Sequence, residues 1–179
     1  MTVVGIDLSL TSTGVATVRE HAVTAGVITS AGHRGDDLTA RIARITRLVE
    51  QVLDWVPPGV LVVIEGPSYG STGGSAWDRA GAWHRLVARL VARDCQVAVV
   101  APATRAKWAT GSGRSDKAAV AAVIARITAA ELVSSDAADA VTLALMGAHR
   151  LGMRPDLDTA YRAECLTKAA WPHTLEATP

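Results

Sequence analysis

Two short runs of β-branched residues, each ending on a carboxylate, constrain this chain more than any other feature. Val3, Val4 and Ile6 lead into Asp7; Val60, Leu61, Val62, Val63 and Ile64 lead into Glu65. Apolar runs of this length, bounded by turn residues, predict buried strands. A carboxylate at the end of a buried strand is costly unless something compensates it. Two further acids, Asp136 and Asp139, stand three apart at the start of a predicted helix and so share one face. Four carboxylates brought together would repel one another, and a pair of hard divalent cations would relieve that repulsion.

The rest of the chain supplies a frame for these acids. Residues 3–8, 13–19 and 22–29 predict three strands in a meander, joined by Thr11-Ser12-Thr13-Gly14 and Glu20-His21. A helix is predicted over 37–56, with Leu38, Ile42, Ile45, Val49, Val52 and Val56 in one stripe, Asp36 or Asp37 as its cap and Pro57-Pro58-Gly59 as its stop. A fourth strand follows at 60–65, then a Gly/Ser-rich loop to residue 75 and a long helix at 76–93. A fifth strand at 96–101, a short helix at 103–109, and helices at 117–130 and 136–150 complete the pattern. Ser115 or Asp116 caps the first of these last two helices, and Ser134 or Ser135 the second. With the short helix at 103–109 set aside, the order β-β-β-α-β-α-β-α-α predicts an α/β domain with a mixed five-stranded sheet, antiparallel in the meander and parallel beyond it, with helices on both faces. Residues 1–153 form the expected domain. Residues 154–179 read as a tail with a short helix near 158–170 and a mobile end.

Composition narrows the function classes. At 179 residues and 49% hydrophobic, the chain suits one domain with a full core. No apolar run approaches a membrane span, and Cys95 and Cys165 form no metal-binding or disulfide pattern, so a reducing cytoplasm is expected. Net charge is only +1. Yet between Arg79 and Arg126 nine basic residues face two acidic ones, a net +7 that suits a nucleic-acid backbone.

The ordered set GIDLSLTSTG, IEGPSYG, a lysine-bearing segment before a Gly-rich turn, and DAADA resembles the RuvC family of Holliday-junction resolvases, over roughly residues 3–150. The resemblance implies an RNase H-like fold and a Mg²⁺-dependent endonuclease that cuts four-way DNA junctions by paired nicks, leaving 5′ phosphates. It implies two Mg²⁺ per site, replaceable by Mn²⁺, held by Asp7, Glu65, Asp136 and Asp139. Lys107 and Lys117 fall where the family keeps basic residues near the scissile phosphate. Helix 76–93 resembles the family's dimer helix, which makes Trp83, Val87 and Leu90 interface candidates in a homodimer. Tyr69 stands one residue beyond the family's base-stacking aromatic. Ser9, Arg85, Arg89 and Arg114 join Tyr69, Lys107 and Lys117 as candidate DNA contacts. A branch-migration motor is a partner the sequence leaves open.

Each motif also has a plainer reading. Acids at a helix start often only complement the helix dipole, a benefit that fades by the second turn, where Asp139 stands. Ser12 and Thr13 read as turn builders, and Trp108 as core rather than a DNA platform. Three rival functions remain. A sugar- or acetate-kinase-type ATPase shares a GIDxGxTxT loop, but here Leu8-Ser9 stands where a Gly is expected and no second phosphate motif follows. A broader branched or flap DNA nuclease would use the same chemistry. A non-catalytic junction-binding protein would have no use for four acids beside phosphates.

Overall fold

The computed structural model describes residues 1–67, 75–129 and 134–176. Its sheet has the order β3-β2-β1-β4-β5. Strand β1 (Thr2–Asp7) pairs antiparallel with β2 (Ser12–Arg19), and β2 with β3 (Ala22–Thr29). On its other side β1 runs parallel to β4 (Leu61–Glu65), and β4 to β5 (Gln96–Val100). This is the mixed sheet that the sequence predicts. Because β1 and β4 are parallel neighbours, their C-terminal carboxylates, Asp7 and Glu65, emerge at the same end of the sheet.

Alternation along the strands builds two cores. Val4, Ile6, Val15, Val62 and Ile64 face α1 (Leu38–Leu53) and α2 (Ala76–Val91). Val3, Ala16, Val18, Leu61 and Val63 face α5 (Ser135–Arg150), with α3 (Pro102–Thr110) and α4 (Lys117–Thr128) beside it. Side chains of Asp37, Asp116 and Ser134 accept hydrogen bonds from the backbone N–H groups of Ala40, Ala119 and Ala137, settling which member of each candidate pair caps its helix.

The two helical layers differ in kind. Every residue of α5 from Ala137 to Ala148 is buried. Its first turns lie directly on the sheet backbone: a Cβ on Gly5 would collide with the Ala140 carbonyl, and one on Gly14 with the Asp136 carbonyl. On the other face, α1 buries Ile45, Leu48, Val49, Val52 and Leu53, but Leu38 and Ile42 are 67% and 46% exposed. The predicted stripe therefore reaches past the sheet it packs on. In α2 the inward positions are Ala82, Leu86 and Leu90, while Trp77 is 84% exposed.

Beyond residue 153 the chain continues onto the same core. Leu157 and Cys165 belong to the α5-side core, and α6 (Ala160–Thr167) lies against α3. The Arg162 guanidinium stacks over Trp108 and donates to the Trp108 carbonyl at 3.2 Å. Ala170 exchanges two 2.9 Å backbone hydrogen bonds with Val99, covering part of the β5 edge. The described tail is thus packed as far as α7 (His173–Glu176), shortly before the chain's end. Weak periodicity concealed this, because the tail is held by single anchors rather than by a continuous apolar stripe.

Candidate active site

Strand ends and one helix start converge at the C-terminal edge of the sheet. Asp7 closes β1, and Asp136 and Asp139 occupy the first turns of α5. One carboxylate oxygen from each of these three lies within 4.8 Å of the others. Close seating of α5 over Gly5 and Gly14 is what brings its acids to Asp7. Glu65 lies outside this cluster of three. It is held by Arg105 on α3, whose Nε donates to Glu65 Oε2 at 2.5 Å and whose Nη1 donates to Asp139 Oδ1. Sequence reading counted Arg105 only as one of nine basic residues and gave it no role. A signal was available. Arg105, Trp108 and Ala109 stand at i, i+3 and i+4, so a buried Trp108 places Arg105 on the buried face, where it needs an acid.

That same geometry removes Lys107 from the acids. Two helical residues turn about 200°, so with Arg105 inward Lys107 points out, where it donates to Glu164 of α6 at 2.9 Å. Lys107, expected near the scissile phosphate, is thus not brought to the acids. Lys117, at the start of α4, does reach the site. Its Nζ donates to Asp136 Oδ1 at 2.8 Å and lies 3.6 Å from Asp139 Oδ2. Ser12 also proves to be more than a turn residue, because its hydroxyl donates to Asp136 Oδ2 at 2.5 Å. Ser9 is tied into that turn instead: its N–H donates to Thr13 Oγ1 and its carbonyl accepts from the same hydroxyl.

Electrostatics divide the acids. Burial, then the nearby charges of Glu65 and Asp139, push Asp7 up to about 7. Burial also raises Asp139, against the pull of Arg105 and Lys117. Burial acts on Asp136 too, but hydrogen bonds from Lys117 and Ser12 hold it below the usual carboxylate range. Asp139 is 1% exposed, and its Oδ2 accepts no hydrogen bond among the described residues. A buried carboxylate oxygen without a donor, beside two more carboxylates, fits a hard divalent cation such as Mg²⁺, which prefers oxygen ligands.

Other expected residues fall around this centre. Trp83 Nε1 donates to the Glu65 carbonyl at 2.9 Å, so this side chain pins α2 to β4. Leu90 is wholly buried against the sheet and offers nothing to a partner, which corrects its assignment to an interface. It follows Ala82 and Leu86 at four-residue steps on the inward face. Val87 is half-buried against the same core. Arg89 pairs with Glu50 at 2.6 Å, while Arg85 and Arg114 are exposed. Tyr69 lies outside the described residues. A groove of about 290 Å³ opens beside Glu65, lined by Leu8, Ser9, Leu10, Pro67 and Trp83 among others.

Comparison with known proteins agrees with this picture. The family model described as crossover junction endodeoxyribonuclease RuvC matches residues 3–147. A curated relative of that description from Renibacterium salmoninarum is 32% identical over 158 residues, covering 85% of this chain and 81% of its own length. A second, from Mycolicibacterium vanbaalenii, is 29% identical over 186 residues, covering 99% and 94%. Among solved structures, Thermus thermophilus RuvC superposes with a TM-score of 0.63 at 21% identity, over 86% of this chain and 98% of that one. The same protein in complex with a Holliday junction substrate gives 0.64 at 22%, over 86% and 97%. At such identities the superpositions establish the RNase H-like fold.

Proposed function

The chain belongs to the RuvC family of crossover junction endodeoxyribonucleases, and from that premise we propose that it resolves four-way DNA junctions with Asp7, Glu65, Asp136 and Asp139 as its catalytic acids. The observation that carries this reading is the Asp7–Asp136–Asp139 cluster with its undonated Asp139 oxygen. Asp7, Asp136 and Asp139 would hold Mg²⁺, with Glu65 completing the set for a second ion. Bound Mg²⁺ supplies a nucleophilic water at neutral pH and offsets the charge that builds on the phosphoryl oxygens.

The side chains have separable tasks. Ser12 and Lys117 fix the two oxygens of Asp136 and keep it ionised, ready to hold a cation. Lys117 is 59% exposed, so its ammonium is free to turn from Asp136 toward an arriving phosphate and to stabilise charge in the transition state. In-line displacement of the 3′ oxygen leaves a 5′ phosphate and a ligatable nick. The groove beside Glu65 gives the cleaved strand a path, and Arg85 and Arg114 are exposed for phosphates farther along it.

A junction has approximate two-fold symmetry, which a two-fold homodimer would match with one site for each of two like strands. Its contact surface is better assigned to Trp77, Leu38 and Ile42 than to Leu90. A 2.6 Å Arg41–Asp78 ion pair joins the first turns of α1 and α2, the two helices that carry these exposed apolar side chains. Among the described residues no helix is long and apolar enough to cross a membrane. Both cysteines are buried and unpaired, as a reducing cytoplasm favours.

The test is cleavage of labelled four-way, three-way, flap and duplex DNA with Mg²⁺. Symmetric cuts confined to the four-way junction are expected; cutting of flaps at equal rate would move the assignment to a general branched-DNA nuclease. Lys117→Ala should lower single-turnover cleavage by about 10²–10³-fold at saturating enzyme. Lys107→Ala should leave that rate nearly unchanged, since Lys107 turns away from the acids.

A further inference from the structure

Arg105 is a 7% exposed arginine with two carboxylate partners, Glu65 and Asp139. Two features set it apart from an ordinary buried ion pair. Both of its partners are proposed metal ligands, and it bridges the acid cluster to the one acid that stands outside that cluster. Four carboxylates against the cations Arg105 and Lys117 leave a charge of −2, which a single divalent ion cancels. A second ion would add positive charge to a neutral site and would need oxygens that the guanidinium already engages.

We infer that Arg105 is a built-in counterion that occupies the Glu65 side of the site at rest, so that without DNA the protein holds one divalent cation, on Asp7, Asp136 and Asp139, and takes a second only when a phosphate draws the guanidinium away. The inference rests on the metal-dependent reading above and makes Arg105 a positioning residue. An arginine suits this task because its planar fork binds two carboxylate oxygens at once and then binds a phosphate in the same way. The arrangement confines the fully charged site to the moment when substrate is present.

The experiment counts Mn²⁺ bound to the full chain without DNA, by electron paramagnetic resonance and by calorimetric titration. The wild type should bind one ion, with a second at least about tenfold weaker, a coupling of ordinary allosteric size. Arg105→Met should bind two ions of similar affinity, and Mn²⁺ should raise its melting temperature more than it raises that of the wild type. Two equivalent ions in the wild type would overturn the inference, as would an unchanged second affinity in Arg105→Met. Should that variant fail to fold, Arg105→Lys decides: its ammonium lacks the fork, so the second ion should tighten, and no change overturns the proposal. Asp136→Asn is the control. If it binds Mn²⁺ as the wild type does, or if neither binds any, the metal site itself is misassigned, an outcome distinct from two equivalent wild-type ions and one that removes the inference with it.

Discussion

The two faces of the sheet are built on different rules. On one, α5 is buried from Ala137 to Ala148 and touches bare backbone at Gly5 and Gly14. On the other, α1 and α2 are amphipathic, tied to each other by surface ion pairs such as Arg41–Asp78 and Arg89–Glu50. The first face fixes distances between acids, because α5 rests on sheet backbone with no room for an added Cβ at Gly5 or Gly14. The second fixes little beyond its inward stripes and leaves apolar side chains exposed. Chemistry is thus placed on the rigid layer, and the proposed dimer contact on the adaptable one.

The widest gap between the faces is expected from one acid on each. Asp136→Asn should abolish cleavage in Mg²⁺ while junction affinity stays close to wild type, since the basic surface is untouched. Asp78→Asn should cleave normally and cost no more than about 1 kcal/mol of stability, as surface ion pairs do. Full cleavage by Asp136→Asn would dissolve the contrast. Core truncation gives the next largest gap. Leu143→Ala on α5 should cost about 2–5 kcal/mol in denaturant unfolding. Ile42→Ser on α1 should stay within about 0.5 kcal/mol for the monomer and should act instead on the dimer, read as a shift toward monomer in sedimentation. If Ile42→Ser destabilises the isolated chain as much as Leu143→Ala does, the α1 end is core after all.

Acidity separates Asp7 from Asp78 by sign. Asp7, raised from 3.8 to about 7, holds its proton more readily when folded. Without metal, its contribution to stability is therefore full below about pH 4 and lost as pH rises to about 7, by at most ~4 kcal/mol at ~1.4 kcal/mol per pH unit. Asp78, lowered by the hydrogen bond from Arg41, behaves in the opposite way. Its contribution is present above its ordinary range and is lost as pH falls through its depressed value. Metal-free Asp7→Asn should consequently gain stability over wild type between pH 4 and 7.5, and Mg²⁺ should reverse the order at pH 7.5. A constant difference across that range would mean that Asp7 titrates normally.

Legibility in the sequence followed the same division. β-branched runs gave the strands, their turns gave the meander, and Asp7 at a strand end with Asp136 and Asp139 at a helix start gave the three carboxylates that meet. Less legible was which way a helix faces. Lys107 and Leu90 were placed by position along the chain, whereas each is fixed by rotation about its helix: Lys107 by Arg105 two residues earlier, Leu90 by Leu86 and Ala82. The role of Ser12 was hidden for another reason. It depends on a contact across 124 residues that no local pattern encodes.

The glycines beneath α5 give this enzyme an unusual kind of catalytic part, one made of missing atoms. A spacer usually works by filling a gap; Gly5 and Gly14 work by leaving none. Neither offers a functional group to a phosphodiester, yet one added methyl at either would lift two aspartates from a third. Misplacement of reacting groups by about 1 Å costs on the order of 100-fold in rate. Substitutions at these two positions would therefore present themselves as catalytic defects in a residue that no chemist would nominate, and any redesign of the site has to treat the distance from helix to sheet as a fixed dimension.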